Sequence, residues 1–285
     1  MMSRTRVRKG TSKPTTTKRR RTQQANTEVD DAYDLRNTMK EAHSSRSPLF
    51  YGDGIRYLQN DTHLTGKLIV IEGPDASGRT SQISVIQPRL EADGHAVLTT
   101  GLRRSELIGE GILEAKRNFV LGRRTLSLFY AADFADQLEN KIIPALRAGY
   151  IVLADRYIFT LMARDAVRKI SRTWSHALYG FALKPDLVFY LDVDPNELIH
   201  RVFQKNFSLD YYESGSDVGL SEDMFESFIM YQNMLAKEFH RMQKKYGLIP
   251  IDGNRTIEEI NTDLLKRIGD FLNRTAAKGM TQQID

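Results

Sequence analysis

The feature that most constrains the fold is a glycine-rich turn that directly follows the apolar run at residues 68–71. Such a turn, placed between a buried strand and a helix, gathers backbone N–H groups and the positive end of the helix dipole at one point. The pattern therefore predicts a strand, a phosphate-binding loop and a helix in that order. An ordinary strand-to-helix turn is the alternative. The turn residues are Gly73, Pro74, Asp75, Ala76, Ser77, Gly78, Arg79, Thr80 and Ser81.

The basic character of the chain comes from its N-terminal tail. The 285 residues carry a formal net charge of +5, yet nine basic residues precede the first acidic residue, Glu28, so the remainder carries −4. A slightly acidic body argues against a nucleic-acid-binding face on the folded part. Residues 1–45 lack an apolar period, and we expect a disordered tail there. Contact of this tail with nucleic acid and a purely solvated tail are both open.

Composition also limits the chemistry. The sequence contains no cysteine, which excludes disulfides and a cysteine nucleophile, and its six histidines show no metal-ligand spacing. Since no run of about 18 apolar residues occurs, we expect no membrane span. A hydrophobic content of 41% over this length suffices for one core. We therefore expect a cytoplasmic protein with one catalytic domain.

Short apolar runs alternate with amphipathic stretches from residue 66 onward, which is typical of βαβ units. They predict an α/β fold with a doubly wound, five-stranded parallel sheet and helices on both faces. The predicted strands cover residues 67–72, 96–100, 150–154, 186–192 and 248–252, and the clearest helices cover 80–93 and 125–148. Pro144 should interrupt the second helix. The resulting limits are a tail at 1–45, a loop-rich lead-in at 46–65, a folded domain at 66–275 and a C-terminal tail at 276–285.

Polar residues end several of the predicted strands. Asp75 follows the first strand, Asp155 and Arg156 follow the third, and Asp192 ends the fourth. Because the carboxyl ends of parallel strands lie on one edge of the sheet, we expect these side chains to share one crevice. Each aspartate alone would be explained equally well as a helix cap.

The order of these motifs resembles the thymidylate kinase branch of the P-loop nucleoside monophosphate kinases. The resembling segments are the first strand and phosphate loop at 67–82, an acceptor-site helix at 128–146, the Asp155-Arg156-Tyr157 motif, a fourth strand at 185–195, and a loop near adenine at 251–253. The resemblance implies Mg²⁺-dependent phosphoryl transfer from ATP to dTMP, a lid around 204–221 and a homodimer. The alternatives are a kinase for another nucleotide or nucleoside, and a nucleotide-binding protein with weakened catalysis.

The resemblance also implies roles for individual residues. Residues 73–81 would cradle the ATP phosphates, and Asp75, Arg79 and Arg156 are the expected catalytic residues. Thr80 and Asp155 would hold the metal, and Arg201 would lie at the lid on the donor side. The expected acceptor-binding residues are Phe129, Asp133, Asp155, Arg156 and Tyr157.

Four features depart from the family pattern. Arg79 replaces a lysine, and residues 100–106 lack the family's Arg-acidic-Pro-Gly-Gly run. Asp133 stands where an arginine that reads the base is expected, and Lys205 is the only cation of the lid sequence. Arg164 and Arg201 are the nearest candidates for a cation that stabilises the transition state. Thymine is therefore implied by the family and not by the pocket residues.

Overall fold

The computed structural model describes residues 49–55, 58, 64–118, 121–204 and 210–281, with side chains described to residue 277. The tail at 1–45, for which contact with nucleic acid and full solvation are both open, lies outside these residues. The same holds for residues 205–209 of the expected lid.

Five strands form one parallel sheet in the order β2-β3-β1-β4-β5. The strands are β1 (Lys67–Glu72), β2 (Val97–Gly101), β3 (Ile151–Asp155), β4 (Leu187–Asp192) and β5 (Ile249–Asp252). Each limit lies within one residue of the sequence prediction. The predicted five-stranded parallel sheet is confirmed.

Helices connect the strands and cover both faces of the sheet. They are α1 (Arg79–Ala92), α2 (Gly109–Arg117), α3 (Arg123–Gln137), α4 (Ile143–Arg147), α5 (Ile158–Val167), α6 (Arg172–Leu178), α7 (Pro195–Gln204), α8 (Met224–Tyr246) and α9 (Ile257–Thr281). A π-helical turn, Leu138–Ile142, separates α3 from α4, so the interruption precedes Pro144. The last helix continues past the expected limit at residue 275.

The central strand β1 is apolar on both faces because two cores lie against it. Leu68 and Val70 belong to a core formed with α3, α5 and α8, whereas Ile69 and Ile71 belong to a second core formed with α1 and α9. Continuous apolar strands of this kind are characteristic of parallel sheets covered on both sides. This arrangement fixes the carboxyl end of β1 in the middle of one sheet edge.

The described lead-in residues pack onto the domain. Phe50 forms an antiparallel bridge with Leu183 and is 1% exposed, and Gly52 donates its N–H to the carbonyl of Gly180. The segment is irregular, as expected, but Phe50 is part of the core. In the part of the chain described here, no helix is long and apolar enough to cross a membrane.

Candidate active site

The turn after β1 leads directly to the N-terminus of α1. A Cβ on Gly73 would lie 2.8 Å from Ser77 Oγ, and Gly78, at φ 93°, precedes the first helical residue. The turn therefore requires glycine at both positions. No side chain in the described part of the chain caps α1, and its first turn contains no acidic residue. Its N-terminal N–H groups are thus available to an anion.

The guanidinium group of Arg79 lies inside the turn that it follows. Its Nη1 donates to the carbonyls of Gly73 and Pro74 and to Ser77 Oγ, and its Nε donates to Asp155 Oδ1 at 2.8 Å. Arg79 is only 9% exposed. The side chain therefore stiffens the loop and joins it to the end of β3.

Asp155 connects the loop to β3 through both carboxylate oxygens. Oδ1 accepts from Arg79, and Oδ2 accepts from Thr80 Oγ1 at 2.8 Å. Burial alone would raise the pKa of Asp155, but the guanidinium groups of Arg79 and Arg156 outweigh it and lower the pKa below its ordinary value. Asp155 is therefore an anion beside the Thr80 hydroxyl.

Asp75 lies between two buried arginines. Arg156 donates from Nη2 to Asp75 Oδ1, and Arg164 Nη2 lies 3.2 Å from Asp75 Oδ2. Burial would raise the pKa of Asp75, but Arg156, Arg164 and Arg79 hold it well below its usual range. The phosphate loop and the motif after β3 therefore face each other, as the sequence predicted.

Glu72, the last residue of β1, fixes the turn that carries Arg156. Its carboxylate is fully buried and accepts from the backbone N–H groups of Tyr157 (2.9 Å) and Thr160 (3.1 Å) and from the Thr160 hydroxyl. Burial raises the pKa of Glu72, while these donors lower it. A carboxylate from β1 thus caps the first turn of α5 and orients Arg156 toward the loop.

A cavity of about 590 Å³ lies at the carboxyl edge of the sheet, between the loop after β1 and the motif after β3. Five arginines and three carboxylates line it, which gives a formal excess of two positive charges. The volume and the excess charge suit a small dianionic molecule. The charged lining residues are Asp75, Arg79, Arg103, Arg104, Asp155, Arg156, Arg164 and Glu213; Thr80, Leu102, Gly109, Leu113 and Tyr130 complete the wall.

Backbone strain is concentrated at this cavity. Four described residues other than glycine have φ in the left-handed region, and three of them belong to the site: Ala76, Arg103 and Arg156, at φ 62°, 62° and 74°. Such a conformation costs on the order of 1–3 kcal/mol at each residue and is retained where the surroundings demand it.

A sequence profile described as thymidylate kinase matches residues 71–264. This chain belongs to the thymidylate kinase family. The probable thymidylate kinase 2 of Saccharolobus solfataricus is 34% identical over 213 residues, covering 74% of this chain and 100% of the relative. The thymidylate kinase of Shouchella clausii is 31% identical over 220 residues, covering 74% and 98%. That of Exiguobacterium sibiricum is 28% identical over 227 residues, covering 74% and 98%.

Asp133 of this thymidylate kinase family member lies behind the cavity wall. It is fully buried, and its oxygens accept from the backbone N–H groups of Arg103 (2.7 Å) and Ser105 (2.9 Å) and from Gln137 Nε2 (3.0 Å). Burial raises the pKa of Asp133 above its ordinary value, and these hydrogen bonds offset only part of the rise. The expected contact of Asp133 with a base is therefore corrected: Asp133 holds the loop after β2 and directs Arg103 and Arg104 to the cavity.

Two expected acceptor-binding aromatic residues also lie outside the cavity lining. Tyr157 is 1% exposed and donates its hydroxyl to the Leu183 carbonyl at 3.0 Å. Phe129 packs against the core, and the next residue on α3, Tyr130, lines the cavity instead. The sequence analysis did not name Tyr130, which lies one position from Phe129 on the helix and lines the cavity. No local sequence signal separates the two aromatic neighbours, because only the packing of α3 decides which ring faces the cavity.

Arg201 and Asp192 lie outside the cavity lining. Arg201 Nη2 donates to the Gly253 carbonyl at 2.9 Å, and its Nη1 approaches the Ser77 carbonyl at 3.4 Å. Asp192 lies 2.8 Å from His240 Nε2 and lines a separate groove beside β5. The expectation that Asp192 shares the crevice of Asp75 and Asp155 is therefore corrected.

The described part of the expected lid, residues 210–221, is held by two buried cations. Lys116 Nζ lies 3.1 Å from Asp210 Oδ1, and Arg168 binds both oxygens of Asp217 at 2.7 and 3.0 Å. Lys116 and Arg168 are 3% and 2% exposed. The same segment brings Glu213 into the cavity wall. In the described structure, the segment packs on the domain through these ion pairs and contributes Glu213 to the cavity wall.

Proposed function

We propose that this protein transfers a phosphoryl group from ATP to dTMP and produces ADP and dTDP. The observation that carries the proposal is the direct contact between Asp75 of the phosphate loop and Arg156 of the motif after β3. The elements proposed to bind the donor and the acceptor therefore line one cavity. Membership of the thymidylate kinase family supports dTMP as the acceptor.

The donor phosphates would bind at the N-terminus of α1. Backbone N–H groups and the helix dipole stabilise the negative charge there. Arg79 adds a fixed positive charge beneath the loop and keeps the loop closed around the phosphates. The base of ATP would lie toward Arg201 and Gly253, which are joined to each other and to the loop.

The acceptor phosphate would bind to Arg156 and Arg164, and the Tyr130 ring would contact the rest of the nucleotide. Phosphoryl transfer depends mainly on positioning and on neutralising charge that spreads over the transferred group. Five arginines in one cavity supply that neutralisation without a covalent intermediate.

Mg²⁺ fits the donor set beside the loop. The Thr80 hydroxyl and the Asp155 carboxylate are hard oxygen ligands 2.8 Å apart. No group of three acidic or histidine side chains in the described chain could hold a metal alone, which suits an ion bound through one or two protein ligands plus phosphate and water. Bound Mg²⁺ would neutralise charge on the ATP phosphates, and Thr80 and Asp155 would hold it.

An ADP-release assay with ATP, Mg²⁺ and a panel of acceptors tests the proposal. We expect dTMP to give the highest kcat/KM among dTMP, dUMP, dCMP, dGMP and thymidine. Turnover with a different acceptor alone would change the acceptor and leave the phosphoryl-transfer mechanism. ATP binding without ADP release for any acceptor would indicate a nucleotide-binding protein with lost catalysis.

A substitution in the acceptor site provides the matched comparison. Arg156→Lys keeps the charge but removes the planar guanidinium group. We expect the KM for dTMP to rise by about 10–100-fold, which corresponds to the loss of one or two charge-assisted hydrogen bonds. The Kd for ATP should change little. Arg267→Lys, on the exposed side of α9, serves as the control and should match the parent protein.

The assembly and location of the protein are part of the proposal. The resemblance supports a homodimer formed through the acceptor-side helices, and Leu128 of α3 is 50% exposed on that side of the chain. Sedimentation at micromolar concentration measures this, and Leu128→Glu should favour the monomer. A chain without cysteine that uses ATP and dTMP also suits the cytoplasm.

A further inference from the structure

A buried lysine of α2 lies behind the cavity and is not part of its lining. Lys116 is 3% exposed, and its Nζ lies 3.1 Å from Asp210 Oδ1 and 3.7 Å from Glu213 Oε1. Taking an ammonium group out of water costs several kcal/mol, which only nearby anions can offset. Both of these anions belong to the segment at 210–221. Lys116 therefore joins α2 to the turn that carries Glu213.

Asp210 links the lysine to the backbone of that turn. Its Oδ1, the oxygen that faces Lys116, accepts from the N–H groups of Tyr212 (2.9 Å) and Glu213 (3.2 Å). Its carbonyl accepts from Glu213 and Ser214 as well. The ion pair with Lys116 thus fixes the turn three residues before Glu213.

Glu213 has other cations within its reach. It lines the cavity and interacts electrostatically with Arg156 and Arg164, but it makes no hydrogen bond to either within the described residues. The Nε atoms of both arginines are buried and make no hydrogen bond there. Among the described residues, Lys116 is the one cation that forms an ion pair with Glu213. The lysine therefore competes with two arginines for one carboxylate.

We propose that Lys116 is a positioning residue that holds Glu213 away from the guanidinium groups of the acceptor site. Without the lysine, the carboxylate would move onto Arg156 or Arg164, because opposite charges attract and buried N–H donors are unused there. An anionic acceptor would then have to displace Glu213. The proposal rests on the proposed function, since it concerns the site assigned to the acceptor. Lys116 acts only through Glu213.

A crystal structure of Lys116→Met without ligand tests the position of the carboxylate. Methionine fills much of the volume of the lysine side chain and removes the charge. We expect the Glu213 carboxylate to lie within hydrogen-bond distance, about 3.2 Å or less, of Nε of Arg156 or Arg164. Glu213 in its parent position would overturn the proposal. This measurement involves neither dTMP nor turnover, so its failure and failure of the dTMP assay are distinguishable.

Isothermal titration with dTMP, without ATP, tests whether Lys116 acts through Glu213. Lys116→Met should raise the Kd about tenfold, which corresponds to one hydrogen bond to a charged group. Adding Glu213→Gln should remove this effect, so the double variant should match Glu213→Gln alone within about twofold. An equal loss in both backgrounds would overturn the proposal, because the lysine would then act by its own charge or through folding. Lys266→Met, on the exposed side of α9, is the control for the loss of one positive charge.

A second variant separates the restraint on Glu213 from the ion pair with Asp210. Asp210→Asn breaks that ion pair but leaves Lys116 beside Glu213, and an asparagine oxygen can still accept the hydrogen bonds of the turn. We expect its Kd for dTMP to stay within about threefold of the parent value. A tenfold loss in Asp210→Asn would overturn the proposal, because the ion pair with Asp210 would then account for the whole effect.

Discussion

Arg79 shows what one side chain contributes beyond its charge. The sequence predicts a cation at the position of the family's lysine, and the structure adds that three loop acceptors and Asp155 share this guanidinium group. An ammonium group has a single nitrogen and cannot reach the loop carbonyls and Asp155 in the same geometry. The geometry of this loop therefore depends on the guanidinium group of Arg79.

Arg79→Lys should lower both stability and turnover. Loss of the charge-assisted bond to Asp155 should cost about 1.5–3 kcal/mol of unfolding free energy. The kcat/KM for dTMP should fall at least tenfold, because the loop loses its connection to Asp155, the proposed metal ligand. Urea unfolding and initial rates measure the two effects. Arg89→Lys, an exposed substitution on the same helix, is the control. Faster turnover in Arg79→Lys would contradict this view.

Asp75 should make stability depend on pH in acid. Its pKa is lowered in the folded protein, so its ion pairs contribute fully above the unfolded value of about 3.9 and are lost as pH falls below it. The difference in unfolding free energy between the parent protein and Asp75→Asn should be largest at pH 6–7 and shrink toward pH 3. Urea unfolding at several pH values measures it. A difference that stays constant from pH 7 to pH 3 would be inconsistent with the ion pairs.

At the scale of elements, sequence patterns predicted strands more reliably than side-chain directions. The five strands are distinct because β-branched and aliphatic residues fill both faces. By contrast, Tyr130 and Phe129 are neighbours in sequence, and only the packing of α3 decides which one lines the cavity. Arg164 lies inside a mostly apolar helix, and its partner Asp75 is 89 residues away. Contacts across such a distance have no local sequence signal.

The segment at 210–221 illustrates the same limit. Its polar sequence suggests a surface loop, yet Arg168 of the helix α5 C-cap binds Asp217, the Tyr212 carbonyl and the Tyr231 hydroxyl from a buried position. Gly215 passes so close to Tyr231 that an added Cβ would lie 2.7 Å from its ring. The segment depends on contacts with α5 and α8 rather than on its own propensity.

Arg168→Met should release this segment from the domain. Removing one partner of a buried ion pair should cost about 3–5 kcal/mol, and amide hydrogen exchange at residues 210–219 should rise more than exchange in the sheet. Arg172→Met breaks an exposed pair with Glu238 and should cost less than about 1 kcal/mol. Unchanged exchange at 210–219 in a folded Arg168→Met protein would show that the buried cation does not hold the segment.

At the scale of the molecule, the sequence predicted the core domain but not the depth to which the lead-in is buried. Phe50 fills a place beside Leu183, and Tyr51 contacts the rings of Phe159 and Tyr246 edge-on or nearly so. The apolar residues at 46–65 show neither helical nor strand spacing, so the sequence does not predict this packing. Isolated aromatic residues before a domain can equally be solvent-exposed.

Two N-terminal deletions separate the tail from the lead-in. Removing residues 1–45 should leave kcat, KM and the thermal midpoint unchanged. Removing residues 1–55 also deletes the buried Phe50, and we expect a loss of about 3–5 kcal/mol, as for other large aromatic deletions from a core. Thermal unfolding and the ADP-release assay measure both. Loss of turnover in the shorter deletion with the domain folded would assign the tail a role in catalysis.

The left-handed residues at the cavity have a consequence for laboratory evolution of this enzyme. Selection for heat tolerance alone should enrich glycine or asparagine at positions 76 and 103, since either residue relaxes the unfavourable backbone. Selection for growth that requires the product should reject the change at 103, because it removes one of the five arginines that line the cavity. The first selection should therefore yield a more stable protein with lower activity, and the second should retain an active protein with lower stability.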